Sequence, residues 1–212
     1  LLGTAAYAGP PLICHRIAIG SAKSLYWNNP GWNLTGRENY DLKRLVPDTL
    51  SILDSDAPVL VRMETLRRAT LYARKDPQVA KELLTRLHAR ATATETAGRP
   101  DALAWFDVGY LAESYKQWIG KDEPNPATGL DGYAWVKKAI SLRGTDPQME
   151  FAAALITLAG PASDHQQHVQ KAMAGAKSDP LLAENLAARF MGSEEATSQV
   201  LGHTTTAKQA QR

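Results

Sequence analysis

Two adjacent side chains near the start of the sequence could do chemistry. Cys14 is followed directly by His15, and a thiol activated by a neighbouring imidazole is the nucleophile of thiol enzymes and redox proteins. Adjacent residues of an extended segment point to opposite sides, however, so these two side chains are not expected to meet. We therefore predict no catalytic residue and expect Cys14 to be packed as a small apolar side chain, with a thiol or redox enzyme as the alternative.

A second candidate is the pair His165 and His168, whose spacing places two imidazoles on one face of a helix, as a metal site requires. Only Asp164 stands nearby as a further ligand, so a solvent-exposed helix start is the preferred interpretation. A single cysteine excludes an intrachain disulfide and any site built from several cysteines. We expect neither a metal nor a cofactor.

Charge is distributed unevenly along the chain. Residues 58–91 contain eight basic and three acidic residues, whereas residues 92–212 contain eleven basic and fourteen acidic ones. The simpler interpretation is two solvated surfaces of unequal composition; the alternative is electrostatic attraction between copies stacked head to tail. A formal net charge of +2 does not indicate a specific nucleic-acid partner. The candidate partner-binding residues are the basic side chains of the first predicted repeat, which could also bind an anionic polymer, and two tryptophans: Arg62, Arg67, Arg68, Arg74, Trp27 and Trp32.

Helices are the elements that must position these side chains. Alanine and leucine dominate the apolar residues and alternating β-branched runs are scarce, which favours an all-α fold. The dipeptide Asp-Pro recurs at three predicted helix starts, with aspartate as the N-cap and proline in the first turn. Predicted helices begin at Pro58 and Pro77, and later ones cover residues 101–119, 131–143, 147–159, 162–177 and 180–191.

The segment Trp105-x-x-Val108-Gly109-x-x-Ala112 resembles the first helix of a tetratricopeptide repeat, in which tryptophan is followed three residues later by Leu-Gly. Ala112 stands where the repeat has an aromatic residue. The resemblance is strongest over residues 101–147. It implies antiparallel helix pairs stacked as a short solenoid, a scaffold that binds protein partners across a concave face.

Gly109 is unusual because glycine in a helix interior costs about 1 kcal/mol relative to alanine. We predict that a partner helix crosses at this point, through Ala139, too closely for a side chain. The expected packing residues of the repeat are Trp105, Val108, Gly109, Ala139 and Pro147.

The chain divides into three predicted regions. Residues 1–57 form an irregular, aromatic-containing N-terminal arm, residues 58–191 the helical repeat domain, and residues 192–212 a polar C-terminal tail. The first eight residues resemble the end of a signal peptide, which favours export to the periplasm or the cell exterior, with the cytoplasm as the alternative. Asn33 would be a glycosylation acceptor only in an exported chain.

Together these features predict a non-catalytic protein–protein interaction or self-assembly module. The expected partner is a protein, above all further copies of the same chain, with the arm and the tail of one copy capping the next. No stretch of 18 apolar residues is present, so we expect no membrane span.

Overall fold

The computed structural model describes residues 9–27, 34, 36–54, 56–118 and 124–191. Within these ranges every regular element is helical, which confirms the predicted all-α class. A 3-10 turn at Leu42–Arg44 precedes the first helix, a second at Thr157–Ala159 follows the sixth, and a π-helical turn at Ala187–Met191 follows the eighth. The helices are α1 (Leu45–Leu53), α2 (Val59–Ala73), α3 (Pro77–Thr96), α4 (Ala102–Trp118), α5 (Gly132–Arg143), α6 (Pro147–Ile156), α7 (Ala162–Ala176) and α8 (Pro180–Leu186).

Aspartate side chains begin most of these helices. Asp76, Asp146 and Asp179 each accept a hydrogen bond from a backbone N–H two or three residues further on, and proline follows each of them at the first helical position. Asp131 caps α5 and Asp101 caps α4 in the same way. The aspartate oxygen satisfies an N–H that has no partner within the helix, and proline has no N–H to satisfy there.

The helices pack against their neighbours in chain order and form two layers. The most extensive contacts are those of α4 with α5 and of α6 with α7. In addition, α2 contacts α4 and α6, and α6 contacts α4 and α8. We call these four helices the inner layer; their described residues are mostly buried, whereas α1, α3, α5 and α7 of the outer layer each keep an exposed face.

Residues 9–27, which we call the strap, lie against the inner layer of their own chain. Leu12, Ile13, Ile17 and Leu25 of the strap are no more than 2% exposed and belong to the main hydrophobic core. Burying such side chains stabilises a fold by about 1.5–3 kcal/mol each. In this chain these residues complete their own core, and whether the arm also caps a neighbouring copy stays a prediction.

Several predictions concern residues outside the described ranges. These are the signal-like segment at residues 1–8, Trp32, the glycosylation acceptor Asn33 and the tail at residues 192–212. They stay predictions. Among the described residues, none of the helices combines the length and apolar character that crossing a bilayer requires.

Candidate functional site

Gly109 lies where α4 and α5 approach most closely. A Cβ atom at this position would come within 2.7 Å of the Gly132 carbonyl oxygen and 2.9 Å of Val136 Cγ2. A Cβ atom on Gly132 would in turn lie 2.5 Å from the Gly109 carbonyl oxygen. A helix therefore crosses at Gly109 as expected, but the predicted contact through Ala139 is wrong. Ala139 is fully buried further along α5, whereas Gly132 and Val136 occupy the crossing itself.

The other predicted packing residues lie in helix–helix contacts as well. Val108 is fully buried, and Trp105 is 5% exposed with its ring centroid 6.1 Å from that of Trp135 on α5. The Lys138 ammonium lies 3.9 Å from the centroid of the Trp105 ring, a cation–π contact. Pro147, at the start of α6, occupies the space where a side chain on Gly175 of α7 would project.

The Arg62 side chain is buried and forms an ion pair inside the protein. Its side chain is 2% exposed, and its Nη1 donates to Asp107 Oδ2 at 2.7 Å. The Asp107 side chain is fully buried, and its Oδ1 has no hydrogen-bond partner among the described residues. Burial raises the pKa of Asp107 to about 7, with the positive charge of Arg62 acting in the opposite direction.

Arg67 and Arg68 share one buried carboxylate. The Arg67 guanidinium donates to both Glu64 oxygens at 2.7 and 2.8 Å, and Arg68 Nε donates to Glu64 Oε1 at 2.7 Å. Burial by itself would raise the pKa of Glu64, but the hydrogen bonds and charges of the two arginines outweigh burial and lower that pKa. Arg67 is 3% exposed, so its charge is already compensated inside the protein.

Two of the predicted partner-binding residues, Arg62 and Arg67, are therefore buried with their charges compensated inside the protein. A buried guanidinium is held by its internal carboxylate and cannot reach a partner without breaking that ion pair. Arg74 is exposed, and Arg68 is partly exposed. Trp27 is partly buried against the body, with the Arg67 guanidinium 5.3 Å from its ring centroid.

The candidate nucleophile near the N-terminus, Cys14, lies in the strap. Its side chain is partly buried. Burial raises the pKa of the Cys14 thiol, with the charges of Arg189 and Arg67 acting in the opposite direction. A smaller fraction of the thiol is then ionised at neutral pH than in a free cysteine, which weakens it as a nucleophile.

His168 forms the middle of a buried hydrogen-bonded chain across three helices. Its Nδ1 lies 2.5 Å from Glu150 Oε2 on α6, and its Nε2 lies 2.7 Å from the Tyr133 hydroxyl on α5. Lys171 Nζ lies 3.3 Å from the second Glu150 oxygen. The expectation of a solvent-exposed position is wrong for His168, which is 6% exposed because it packs between α6 and α5.

This carboxylate–imidazole–phenol chain resembles the relay of a nucleophilic enzyme, but the phenol is poorly suited to attack. Burial raises the pKa of Tyr133, and three nearby carboxylates raise it further. His165 has Nδ1 within 2.9 Å of the Ala154 carbonyl oxygen, so the two imidazoles are engaged with different partners. A group of three side chains able to hold a metal ion does not occur among the described residues.

A surface cleft of about 500 Å³ lies between α3, residues 124–130 and α5. One face of α3 forms the first wall, Trp135 of α5 forms the second, and the loop forms the third. Asn125 holds the loop in place, since its Nδ2 donates to the Tyr115 carbonyl at 2.9 Å and its Oδ1 accepts from Ala127 N–H at 2.9 Å. The residues that give the cleft its character are Pro77, Lys81, Leu84, His88, Pro126 and Trp135.

The cleft combines apolar walls with basic or neutral polar groups. The His88 ring lies 5.2 Å from the Trp135 ring, centroid to centroid. Among the described residues no carboxylate lines the cleft, and none lies within salt-bridge distance of Lys81. A ligand with an apolar group and a negative charge therefore matches the cleft best.

No protein-family model, curated protein or solved structure matches the chain. The site is therefore defined by its own geometry alone.

Sequence reasoning missed most of the residues that form these contacts. Glu64 could have been found, since it stands three and four residues before Arg67 and Arg68, the spacing of helical ion pairs. Asp107 gave no such signal because it is 45 residues away from Arg62. The cleft likewise joins α3 to α5, and no local pattern marks Trp135 as its wall.

Proposed function

We propose that this chain is a non-catalytic protein-interaction module, an array of tetratricopeptide-like helices that binds a short segment of a partner protein in the cleft between α3 and α5. The observation that carries the proposal is the cleft itself, whose volume of about 500 Å³ accommodates several side chains of a peptide. Its walls come from separate helices, as in a scaffold that presents a surface rather than a reacting group.

The chemistry of the cleft specifies the segment. Leu84 and Trp135 offer apolar surface for an aliphatic or aromatic side chain. Lys81 is exposed at the cleft and offers an ammonium group for a carboxylate. We therefore propose a partner segment in which an acidic residue stands near an apolar one, with the apolar contact contributing affinity and the charge contributing orientation.

The alternatives have weaker support. A thiol enzyme using Cys14 and His15 needs an ionised thiol, and burial of Cys14 opposes ionisation. A binder of anionic polymers needs surface cations, but Arg62 and Arg67 are buried in internal ion pairs. The proposal includes self-assembly, in which the partner segment belongs to another copy of the chain.

The test selects peptides of about twelve residues from a displayed random library against the immobilised full-length protein. We expect the selected peptides to combine acidic and apolar residues, and Lys81→Glu to weaken their binding by about tenfold, or 1.4 kcal/mol. Lys177→Glu is the matched control, because Lys177 is also exposed but does not line the cleft, and it should leave binding unchanged. A failure to enrich any peptide, or equal weakening by both substitutions, would contradict the proposal.

A further inference from the structure

The strap is held mainly through its backbone. Among the described residues, six side chains of the helical body hydrogen-bond the main chain of residues 11–25, and they come from helices far apart in sequence. We call them the strap-binding residues: Glu64, Arg67 and Arg68 on α2, Gln117 on α4, Asn185 on α8 and Arg189 in the π-helical turn.

Asn185 makes the most complete of these contacts. Its Oδ1 accepts from the Ala18 N–H at 2.8 Å, and its Nδ2 donates to the Ala18 carbonyl oxygen at 2.9 Å. Both main-chain groups of one strap residue are thus satisfied by a single amide, as an adjacent β-strand would satisfy them. Such a contact recognises the main chain and is indifferent to the side chain of the residue it holds.

The arginines and Glu64 extend this recognition along the strap. Arg189 Nη2 donates to the His15 carbonyl at 2.7 Å, and Arg68 Nη1 donates to the Leu25 carbonyl at 2.5 Å. Glu64 Oε2 accepts from the Ile17 N–H at 2.9 Å. Glu64 and its two arginines therefore have a second role besides their ion pairs, because they present fixed donors and acceptors to the strap.

Side-chain pockets supply the selectivity for particular residues that the backbone contacts lack. Leu12 and Ile13 are fully buried and Ile17 is 2% exposed, whereas Arg16 and Lys23 of the same segment are exposed. The strap itself contains turns at Pro10–Cys14 and Ile19–Ala22. Main-chain hydrogen bonds combined with pockets for selected side chains are a means by which proteins hold peptide ligands. The strap occupies the inner layer in the manner of such a ligand.

We propose that the strap-binding residues form a peptide-binding site whose resident ligand is the strap of the same chain, and that the strap of a second copy can replace it. A second copy carries the same sequence, so its strap would meet the same six partners and the same apolar pockets. The resident strap has the advantage of attachment, since linked segments reach effective concentrations of about millimolar. Exchange therefore requires either a cut connection or a protein concentration of that order.

The experiment cuts that connection in the full-length chain. A protease recognition sequence is inserted between residues 28 and 33, the protein is cleaved, and a fluorescent synthetic peptide of residues 9–27 is added. We expect the labelled peptide to exchange into the cleaved protein, with a rise in fluorescence anisotropy that unlabelled peptide reverses. A scrambled peptide of the same composition should not compete.

Peptide variants keep the test independent of protein folding. Leu12→Asp in the peptide places a charge in a buried pocket and should weaken competition by at least about a hundredfold. Arg16→Ala alters an exposed side chain and should compete like the original peptide. If the protein unfolds on losing its strap, excess peptide should restore the helical circular dichroism. Absence of exchange or restoration, or equal competition by the Leu12→Asp and scrambled peptides, would overturn the peptide-binding site.

A separate measurement tests the exchange of straps between two copies of the chain. Sedimentation of the intact chain should show monomer at micromolar concentration and dimer as the concentration approaches about millimolar, where attachment no longer dominates. Excess peptide of residues 9–27 should return that dimer to monomer. A dimer that the peptide leaves intact, or a monomer throughout while the cleaved protein exchanges its strap, would contradict exchange between copies. Because the strap-binding residues are separate from the cleft, either proposal can fail without the other.

Discussion

Replacing Gly109 with alanine reverses the usual ranking of helix formers. Alanine is better than glycine in a helix interior by about 1 kcal/mol, so Gly109→Ala would stabilise an isolated α4. In the folded protein, the new Cβ atom would lie 2.7 Å from the Gly132 carbonyl oxygen and 2.9 Å from Val136 Cγ2. Ordinary contact distances between such atoms are about 3.5 Å, so the two helices must move apart.

The magnitude follows from these opposing effects. The atom that must give way at 2.7 Å belongs to the backbone, which cannot rotate aside as a long side chain can. Overpacking of this kind costs about 1–3 kcal/mol, and the helix preference of alanine offsets about 1 kcal/mol of it. Because the backbone must give way, the overpacking cost should lie in the upper part of that range, at about 2–3 kcal/mol. We therefore expect a net loss of about 1–2 kcal/mol in the free energy of unfolding, and a larger loss for Gly109→Leu. In a chain of this length, the melting temperature should fall by about 2–8 °C.

The assay is urea and thermal unfolding followed by circular dichroism. Ala89→Gly is the matched control, because Ala89 is exposed on α3 and the same two residue types are exchanged in the opposite direction. It should also destabilise the protein, by about 1 kcal/mol from helix preference alone. Alanine is thus expected to be the worse residue at position 109 and the better one at position 89. A stabilised Gly109→Ala protein would refute the close approach of α4 and α5.

Two further predictions concern ionisable groups. Cys14 should react with a thiol reagent at neutral pH far more slowly in the native protein than in urea, because burial raises its pKa; equal rates would contradict this. Burial raises the pKa of Asp107 above that of an unfolded carboxyl, which is about 4, while Arg62 opposes the shift, so the folded state binds a proton at higher pH than the unfolded state does. Its stabilising contribution is therefore complete below about pH 4 and is lost as the pH rises towards about 7, so the stability of the native protein should fall over that range relative to Asp107→Asn. Urea unfolding across that range checks this, and parallel curves for the two proteins would contradict it.

Local features of the sequence were sufficient to predict the helix starts. An aspartate cap acts on backbone groups two or three residues away, so Asp76 and Asp146 could be recognised without knowing the fold. The local sequence also marked Gly109 as a packing position, since glycine is costly in a helix interior. The residue facing it could not be chosen between Ala139 and Gly132, because that depends on the crossing of two helices.

The wrong predictions came from charges whose partners are distant. Arg62 lies in a basic stretch, and nothing near it indicates that Asp107, 45 residues further on, would bury it. Trp27 and the apolar residues around it indicated a packed segment. Their sequence could not show that Asn185, far along the chain, holds the backbone of Ala18.

Native-state hydrogen exchange of the intact protein tests most directly whether the helical body binds its own strap. The amides of Leu12, Ile17 and Ala18 donate to Gln117, Glu64 and Asn185 and should exchange as slowly as amides in the core of α4. The amide of the exposed Lys23 serves as the internal reference for fast exchange. We predict that all three amides are protected from exchange. In Asn185→Leu, the Ala18 amide should lose its protection first. Exchange of all three at the rate of an unstructured chain, while α4 stays protected, would contradict a strap bound by the inner layer.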